Sequence, residues 1–499
     1  MELLAAPWTA ILVILPLAAA ALSVVLRARA ALATSLLVSL GIVLAAAGLW
    51  AQVAAEGPRS YPLGGWEAPL GIELYADGLS VFMIVMTALV GTAGSLYAAG
   101  FFGREEAGVR PGDYSDRYGA FWPLWMFLWA SMNILYLSAD IFNLYVSLEI
   151  LGLSAVALVS LAGSRRALGA GMRYLLVSLL GSLAYLAGVA LLYGAYGTLN
   201  VQLLGGLLQA EPTVFAALAV MTLGLALKTA LFPLHFWLPG AYASAPPPSA
   251  VVLSALTTKA SFYLLVRLWF YVFPPEATPA AGELLGILGA AAILWGAVLA
   301  ARQRSLRRLV AYSSVSQIGY FFLLFPLATG AAGFAAYSGG LYQAFSHGFA
   351  KAAMFMAAGV VVQTLGHDEI KNFEGLAQRL PLTVASFAVA GVTLMGLPPS
   401  GGFTAKWLLL SAAMDNGRWD LAVVVIGGGL LAAVYVFRVL NWALLTGTPE
   451  EGSPQQRPRG LEVISLTLAI ASALLALFSG PLLDLLQTGA PFAPALVGW

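Results

Sequence analysis

Four of the five lysines in this 499-residue chain, Lys228, Lys259, Lys351 and Lys406, sit inside stretches that are otherwise membrane-compatible and apolar. A lysine near the middle of a bilayer costs about 3 kcal/mol on insertion scales, so it survives where it has a partner, water or a task. Glu149, in FNLYVSLEILGLS, is the one carboxylate well inside such a stretch, and Asp140 lies at that stretch's outer edge. Burial disfavours an ammonium and a nearby carboxylate favours it. Lys228 and Lys259, the natural partners of Glu149, are therefore placed to bind and release protons as the acid approaches and recedes. The bland alternatives are a structural hydrogen bond or salt bridge for Glu149 and snorkelling for the lysines. Lys228 lies about 15 residues into its apolar stretch and Lys259 about 11, too deep for easy snorkelling.

Gln343, His347 and Lys351 follow one another at i, i+4 and i+8, one polar stripe on a helix. His347 and Lys351 would be adjacent cations if both were protonated, which favours a neutral imidazole suited to relay a proton. A histidine satisfied by a backbone carbonyl is the alternative. Lys406 is a candidate exit group or a snorkelling anchor. His235, in FPLHFWLP, is a candidate relay or capping residue. Arg267 and Arg438 lie nearer the ends of their stretches and read as interface or packing residues, and His367 as a solvated loop residue.

The elements that position these groups follow from composition. The chain is 60% hydrophobic and 9% charged, with a mean hydropathy of +0.87 and a net charge of +1. A soluble domain carries about 25% charged residues, so this is an all-α polytopic membrane protein, with no electrostatic case for a nucleic-acid partner. Zero cysteines exclude disulfides and cysteine-ligated clusters, and three histidines leave little for metal or haem. No metal, cofactor or redox centre is expected, and the chain is not an enzyme by itself.

Apolar runs long enough to cross a bilayer fall at about 4–26, 31–53, 79–101, 119–138, 141–163, 174–196, 213–236, 248–272, 283–301, 309–328, 334–364, 381–410, 421–446 and 461–485, which makes 14 spans. The first lacks the basic n-region of a signal peptide and reads as an uncleaved span. Sixteen of the 24 basic residues lie in odd-numbered connections, among them Arg104, Arg110, Arg117, Arg302, Arg307, Lys371 and Arg457. Only Arg59 and Arg418 lie in even-numbered connections or at the termini. The odd connections therefore face the cytoplasm and both termini the opposite side. The expected location is a prokaryotic inner or plasma membrane.

Two spans are interrupted. In the seventh, Lys228 precedes Pro233 and Pro239; the twelfth contains GLPPSGG at 396–402, just before Lys406. Pro233 cannot donate to the Thr229 carbonyl, which frees that group beside the lysine. Broken helices at membrane depth are tolerated where buried or lining a wet cavity, and they mark transporter sites. Spans 4–8 and 9–13 form two five-helix blocks of opposite orientation, with the broken span fourth in each. The expected organisation is residues 1–118 as spans 1–3, 119–272 and 283–446 as the two inverted repeats, and 447–499 as a linker with the last span.

LKTALFPLHFWLPGAYASAPPPSA, LSALTTKASFYLLVR, LRRLVAYSSVSQIGY, FSHGFAKAAMF and GLPPSGGFTAKW resemble, in this order, the signature segments of proton-translocating antiporter-like subunits. These are the L, M and N subunits of respiratory complex I and the large subunits of Mrp-type multisubunit Na⁺/H⁺ antiporters, with relatives in membrane-bound hydrogenases. The resemblance runs from about span three to span thirteen. It implies that Glu149 is the span-five acid, Lys228 the broken-helix lysine, Lys259 the span-eight lysine, His347 and Lys351 the central pair, and Lys406 the lysine of the second broken helix. In the family these form a hydrated midplane axis. The chain ends soon after span fourteen and so lacks the long lateral helix of the L-type subunit. Lys406 departs from the M-type pattern, and WLPGAY is closer to the Mrp D subunit. Arg307 and Ser305 depart from the usual lysine and acid at the start of span ten, which puts a cytoplasmic intake role there in doubt.

The resemblance implies a proton-translocating subunit of a cation/proton antiporter, with other membrane subunits, the bilayer and protons as partners, and Na⁺ through the complex. The alternative is an N- or M-like pump subunit of NADH:quinone oxidoreductase or a hydrogenase. A scaffold with vestigial ionisable groups and a stand-alone solute carrier are the remaining readings. Na⁺ prefers clustered oxygen ligands, so a sodium route is not expected along the lysine line.

Overall fold

The computed structural model describes residues 6–106, 118–446 and 457–492. Hydrocarbon cannot satisfy backbone N–H and C=O groups, and a helix satisfies its own. The apolar runs accordingly form α1 (Trp8–Val25), α2 (Ala28–Glu56), α3 (Gly78–Glu106), α4 (Tyr118–Leu137), α5 (Ile141–Ser160) and α6 (Arg165–Tyr196). A short antiparallel hairpin, β1 (Arg59–Pro62) with β2 (Glu73–Ala76), joins α2 to α3. The seventh span is α7 (Pro212–Thr229) followed by α8 (Leu238–Ser244). Next come α9 (Pro247–Tyr271), α10 (Pro279–Ala301), α11 (Leu306–Phe322) and α12 (Gly333–Leu365). The twelfth span is α13 (Pro381–Met395) and α14 (Gly401–Asp415); α15 (Trp419–Leu444), α16 (Arg459–Leu474) and α17 (Ser479–Gln487) complete the order.

Among the described residues, 13 helical units are long and apolar enough to cross a membrane. The sequence predicts one more. The difference lies in the twelfth span, where α13 and α14 hold 15 residues each, short of the roughly 20 needed for a crossing alone.

Contacts between connections follow the same alternation. Odd-numbered connections meet one another: Ser305 bridges to Glu369, and Arg457 donates to the Gln378 carbonyl at 3.0 Å. So do even-numbered ones: Leu74 bridges to Ser138, Asp140 to Asn200, and Asn416 donates to the Leu327 carbonyl at 2.8 Å. A span too many or too few would have crossed these pairings. Residues 4–5 of the first expected span, Arg110, Arg117 and residues 447–456 of the expected linker lie outside the described residues.

Both breaks use one device. α7 stops at Thr229 with Ala230 in the left-handed region (φ 61°). Ala230 N–H then reaches the Leu227 carbonyl and Leu231 N–H the Ala226 carbonyl. α13 stops at Met395 with Gly396 at φ 79°; Gly396 N–H reaches Thr393 and Leu397 N–H reaches Val392. These are Schellman caps. The first helix thus ends before Pro233, the residue the sequence points to, and does so on an alanine.

α9 and α11 are the most enclosed spans, with 100% and 94% of their apolar windows buried, against 39% for α1 and 33% for α15. Lys259 and the acceptors of Lys351 therefore lie on central helices, away from lipid.

Candidate functional site

Lys228 occupies the last turn of α7. Its Nζ donates to Ser178 Oγ at 2.9 Å and to the Leu148 carbonyl at 3.3 Å. Close approach of α6 and α7 makes this possible. A Cβ on Gly181 would sit 2.8 Å from the Gly224 carbonyl oxygen and 3.0 Å from Lys228 Cγ. Glu149, next to Leu148 on α5, is half-buried and acts electrostatically on Lys228, but no ion pair within 4.0 Å joins them. Its Oε1 is buried without a protein partner.

Lys259 follows a π-helical segment, Leu253–Thr257, within α9. Such segments recur at functional sites. Lys259 Nζ donates to the Ser254 carbonyl at 2.6 Å. Lys351 on α12 donates to Ser313 Oγ at 2.5 Å and to the Val310 carbonyl at 3.0 Å, both on α11. His347, one turn before Lys351, is 1% exposed and within electrostatic reach of Lys259, Lys351 and Lys406. Both of its ring nitrogens are buried without protein partners.

Lys406, in the first turns of α14, reaches back across the break to the Leu394 carbonyl at 2.6 Å and lies 4.4 Å from the Tyr320 ring centroid. Gln317 Nε2 donates to the same carbonyl at 3.2 Å, and its Oε1 accepts from Gln343 Nε2 at 2.8 Å. Gln343 is one turn from His347, so an amide chain links the imidazole's neighbourhood to Lys406.

The four lysines share one property. Each is held by carbonyls or hydroxyls, and among the described residues none lies within 4.0 Å of a carboxylate. A neutral acceptor serves an amine as well as an ammonium, so these groups can change protonation without orphaning a buried anion. Buried atoms at Glu149, His347 and Gln343 are left without protein hydrogen-bond partners, unlike most buried polar groups.

His235 stands apart. It stacks on Phe232 with ring centroids 5.6 Å apart, and its Nδ1 has no protein partner. Asp140 is the N-cap of α5, accepting from Asn143 N–H at 2.7 Å. Arg438 caps the end of α10 through the Ala301 and Gln303 carbonyls. Three polar residues went unseen in the sequence. Gln317 lies within LRRLVAYSSVSQIGY and was marked by nothing but its type. Asp77, in the polar second connection, forms a buried bidentate pair with Arg267. Glu462, at the start of α16 and 1% exposed, accepts from both the N–H and the hydroxyl of Thr383 at 3.0 Å.

Residues 138–432, more than half of the chain, match the family described as NADH:quinone oxidoreductase/Mrp antiporter, TM. The chain belongs to this family. Within the antiporter family it is 38% identical over 410 residues to the N subunit of the NADH-quinone oxidoreductase of Desulforudis audaxviator, covering 80% of this chain and 78% of that one. It is 29% identical to the D-type subunit of the Na(+)/H(+) antiporter of Alkalihalophilus pseudofirmus, over 81% of this chain and 79% of that one. A chain of the membrane-bound sulfane sulfur reductase, an archaeal respiratory membrane complex, superposes with a TM-score of 0.85 at 30% identity, covering 96% of each chain.

Proposed function

We propose that this chain is a proton-translocating membrane subunit, moving H⁺ along Glu149, Lys228, Lys259, His347, Lys351 and Lys406, with His235 as a side element. The supporting observation is the set of four buried lysines held by neutral acceptors, with an imidazole one turn from Lys351 whose ring nitrogens have no protein partner. The two five-helix repeats, 119–272 and 283–446, cradle this axis in opposite orientations, and the odd connections face the cytoplasm of a prokaryotic cell. Its partners are the other membrane subunits of a multisubunit complex. The test is proton flux in proteoliposomes of the assembled complex. Glu149→Gln and Lys228→Ala each lower driven flux about a hundredfold or more, in line with the loss of a proton-transfer group, while assembly is retained. Wild-type flux in both variants overturns the reading.

Two complexes fit. WLPGAY supports a Na⁺/H⁺ antiporter subunit of Mrp D type. The 38% identity to an N subunit of a quinone oxidoreductase, against 29% to a D-type antiporter subunit, favours a redox-driven complex. Co-purified subunits separate them: flavin or iron–sulfur proteins in one case, small membrane subunits in the other.

A further inference from the structure

Resting on the proton-translocation reading, we infer that Arg267 and Asp77 form a proton seal between Lys259 and the side of the membrane opposite the basic connections. Lys259, Tyr263, Arg267 and Tyr271 recur every four residues on α9 and so share one face. The stripe runs from Lys259 toward the even-numbered connections. Arg267 lies eight residues, about 12 Å, beyond Lys259.

The bonding around Arg267 is the opposite of that around the lysines. Nη1 donates to Asp77 Oδ2 at 2.5 Å and Nη2 to Asp77 Oδ1 at 2.7 Å. Nη2 also reaches Ser80 Oγ at 3.0 Å and the Tyr263 hydroxyl at 3.1 Å. The guanidinium lies 4.4 Å from the Tyr271 ring centroid. Asp77 is 0% exposed and Arg267 3%. Tyr263 itself donates to the Tyr136 carbonyl at 2.7 Å.

Outward of Lys259, whose Nζ turns back to the Ser254 carbonyl, two hydroxyls gather on the guanidinium: Tyr263 and Ser80 lie 3.3 Å apart, and both bond the Arg267 group that clamps the Asp77 carboxylate. On this side of Lys259 the cluster would pass protons outward if Asp77 could accept one. The guanidinium is not deprotonated in proteins. By clamping both carboxylate oxygens it holds Asp77 as an anion and removes it from proton exchange. A proton on Lys259 is thus kept from leaving directly and must pass by His347 toward Lys406. Arg267 and Asp77 are positioning residues in this scheme; they do not carry the transported proton.

The test is passive proton leak in proteoliposomes of the assembled complex, driven by a potassium diffusion potential and read with an internal pH dye. Arg267→Gln frees Asp77 and raises the leak about tenfold, the effect of a one-unit change in a relay group's proton affinity. Adding Asp77→Asn or Lys259→Ala to Arg267→Gln returns the leak to the wild-type level. A tight Arg267→Gln complex overturns the seal, as does a leak that persists in Arg267→Gln/Asp77→Asn, which would report loosened packing. Should Arg267→Gln not assemble, Arg267→Lys carries the test. Its ammonium can hand a proton on, so it leaks, and a tight Arg267→Lys overturns the seal. If Lys228→Ala lowers driven flux while Arg267→Gln stays tight, the seal alone falls; if Lys228→Ala leaves driven flux unchanged, the translocation reading falls.

Discussion

Lys406 and Leu394 are joined by a 2.6 Å hydrogen bond that spans the break in the twelfth helix. In the Schellman cap of α13, Leu394 holds the place that Lys228 holds in the cap of α7, one residue before the last helical position. One break therefore presents an amine at that place and the other a carbonyl that receives an amine. Gln317 shares the carbonyl and passes the link to Gln343.

Lys406→Gln removes the exchangeable proton but keeps a donor for Leu394, so the break stays closed. Driven proton flux falls about a hundredfold, the lower end of what a proton-transfer group supplies, with assembly and thermal stability unchanged. Flux measured in proteoliposomes beside a melting curve checks this. Gln317→Leu, which cuts the amide chain and leaves Lys406 in place, lowers flux less.

Gly181→Val forces α6 and α7 apart, because even a Cβ there meets the Gly224 carbonyl oxygen and Lys228 Cγ. Overpacking of this kind costs about 1–3 kcal/mol. The displacement carries Lys228 away from Ser178 and Leu148. The expected outcome is a lowered melting temperature together with reduced flux. Ser178→Ala, which removes one acceptor and no packing, lowers flux with little change in melting.

The four buried lysines are legible because a lysine in an apolar run is rare and expensive, so Lys228, Lys259, Lys351 and Lys406 stand out by type alone. The stripe of Gln343, His347 and Lys351 follows from helical periodicity. The break after Thr229 falls earlier than Pro233 suggests because the left-handed residue is Ala230, and alanine carries no turn signal. Residue type suggests Glu149 as a close counter-ion; the seating of Lys228 on Ser178 instead depends on the close approach of α6 to α7 at Gly181 and Gly224, which spacing along one helix does not reveal. Asp77 is invisible in sequence because an aspartate in a polar connection is ordinary until the fold buries it against Arg267. Glu462 is hidden in the same way at the edge of its span.

Glu462 pins the first half of the twelfth span. It bonds the Thr383 N–H in the first turn of α13, where the helix dipole favours an anion. The same register continues along α16 with Ser386 against Ser465 at 2.6 Å and Thr393 against Ser472 at 2.9 Å. Glu462→Ala strands the Thr383 donors and costs about 1–3 kcal/mol, read as a lower melting temperature in detergent; Glu462→Gln recovers part of it. The chain has no cysteine of its own, so Ser386→Cys with Ser465→Cys gives a clean cross-linking test. The pair links on mild oxidation, and driven flux is retained because this seam is the fixed support of the break.

Asp368 ties the ninth connection to the eleventh. Its Oδ2 accepts from Ser305 Oγ at 2.5 Å and from Arg307 N–H and Nε at 3.2 and 3.3 Å. Partial burial works against the carboxylate, but the Ser305 hydroxyl and the Arg307 charge outweigh it and hold the group below its usual value of 3.8. The sign follows directly. A carboxylate whose affinity for protons is lower in the folded state stabilises that state fully above its unfolded value, and the benefit is lost as pH falls through the folded one. The clamp is therefore intact at neutral pH and gives way only below the ordinary carboxylate range. Asp368→Asn loses the ion pair at every pH, at a cost of about 1 kcal/mol for so partly exposed a pair. Melting temperatures measured from pH 7 down to pH 3 separate the two: the wild-type advantage over Asp368→Asn is constant above about pH 5 and shrinks toward zero below the usual carboxylate value. An advantage that instead grows on acidification would show that Asp368 is not held as the anion.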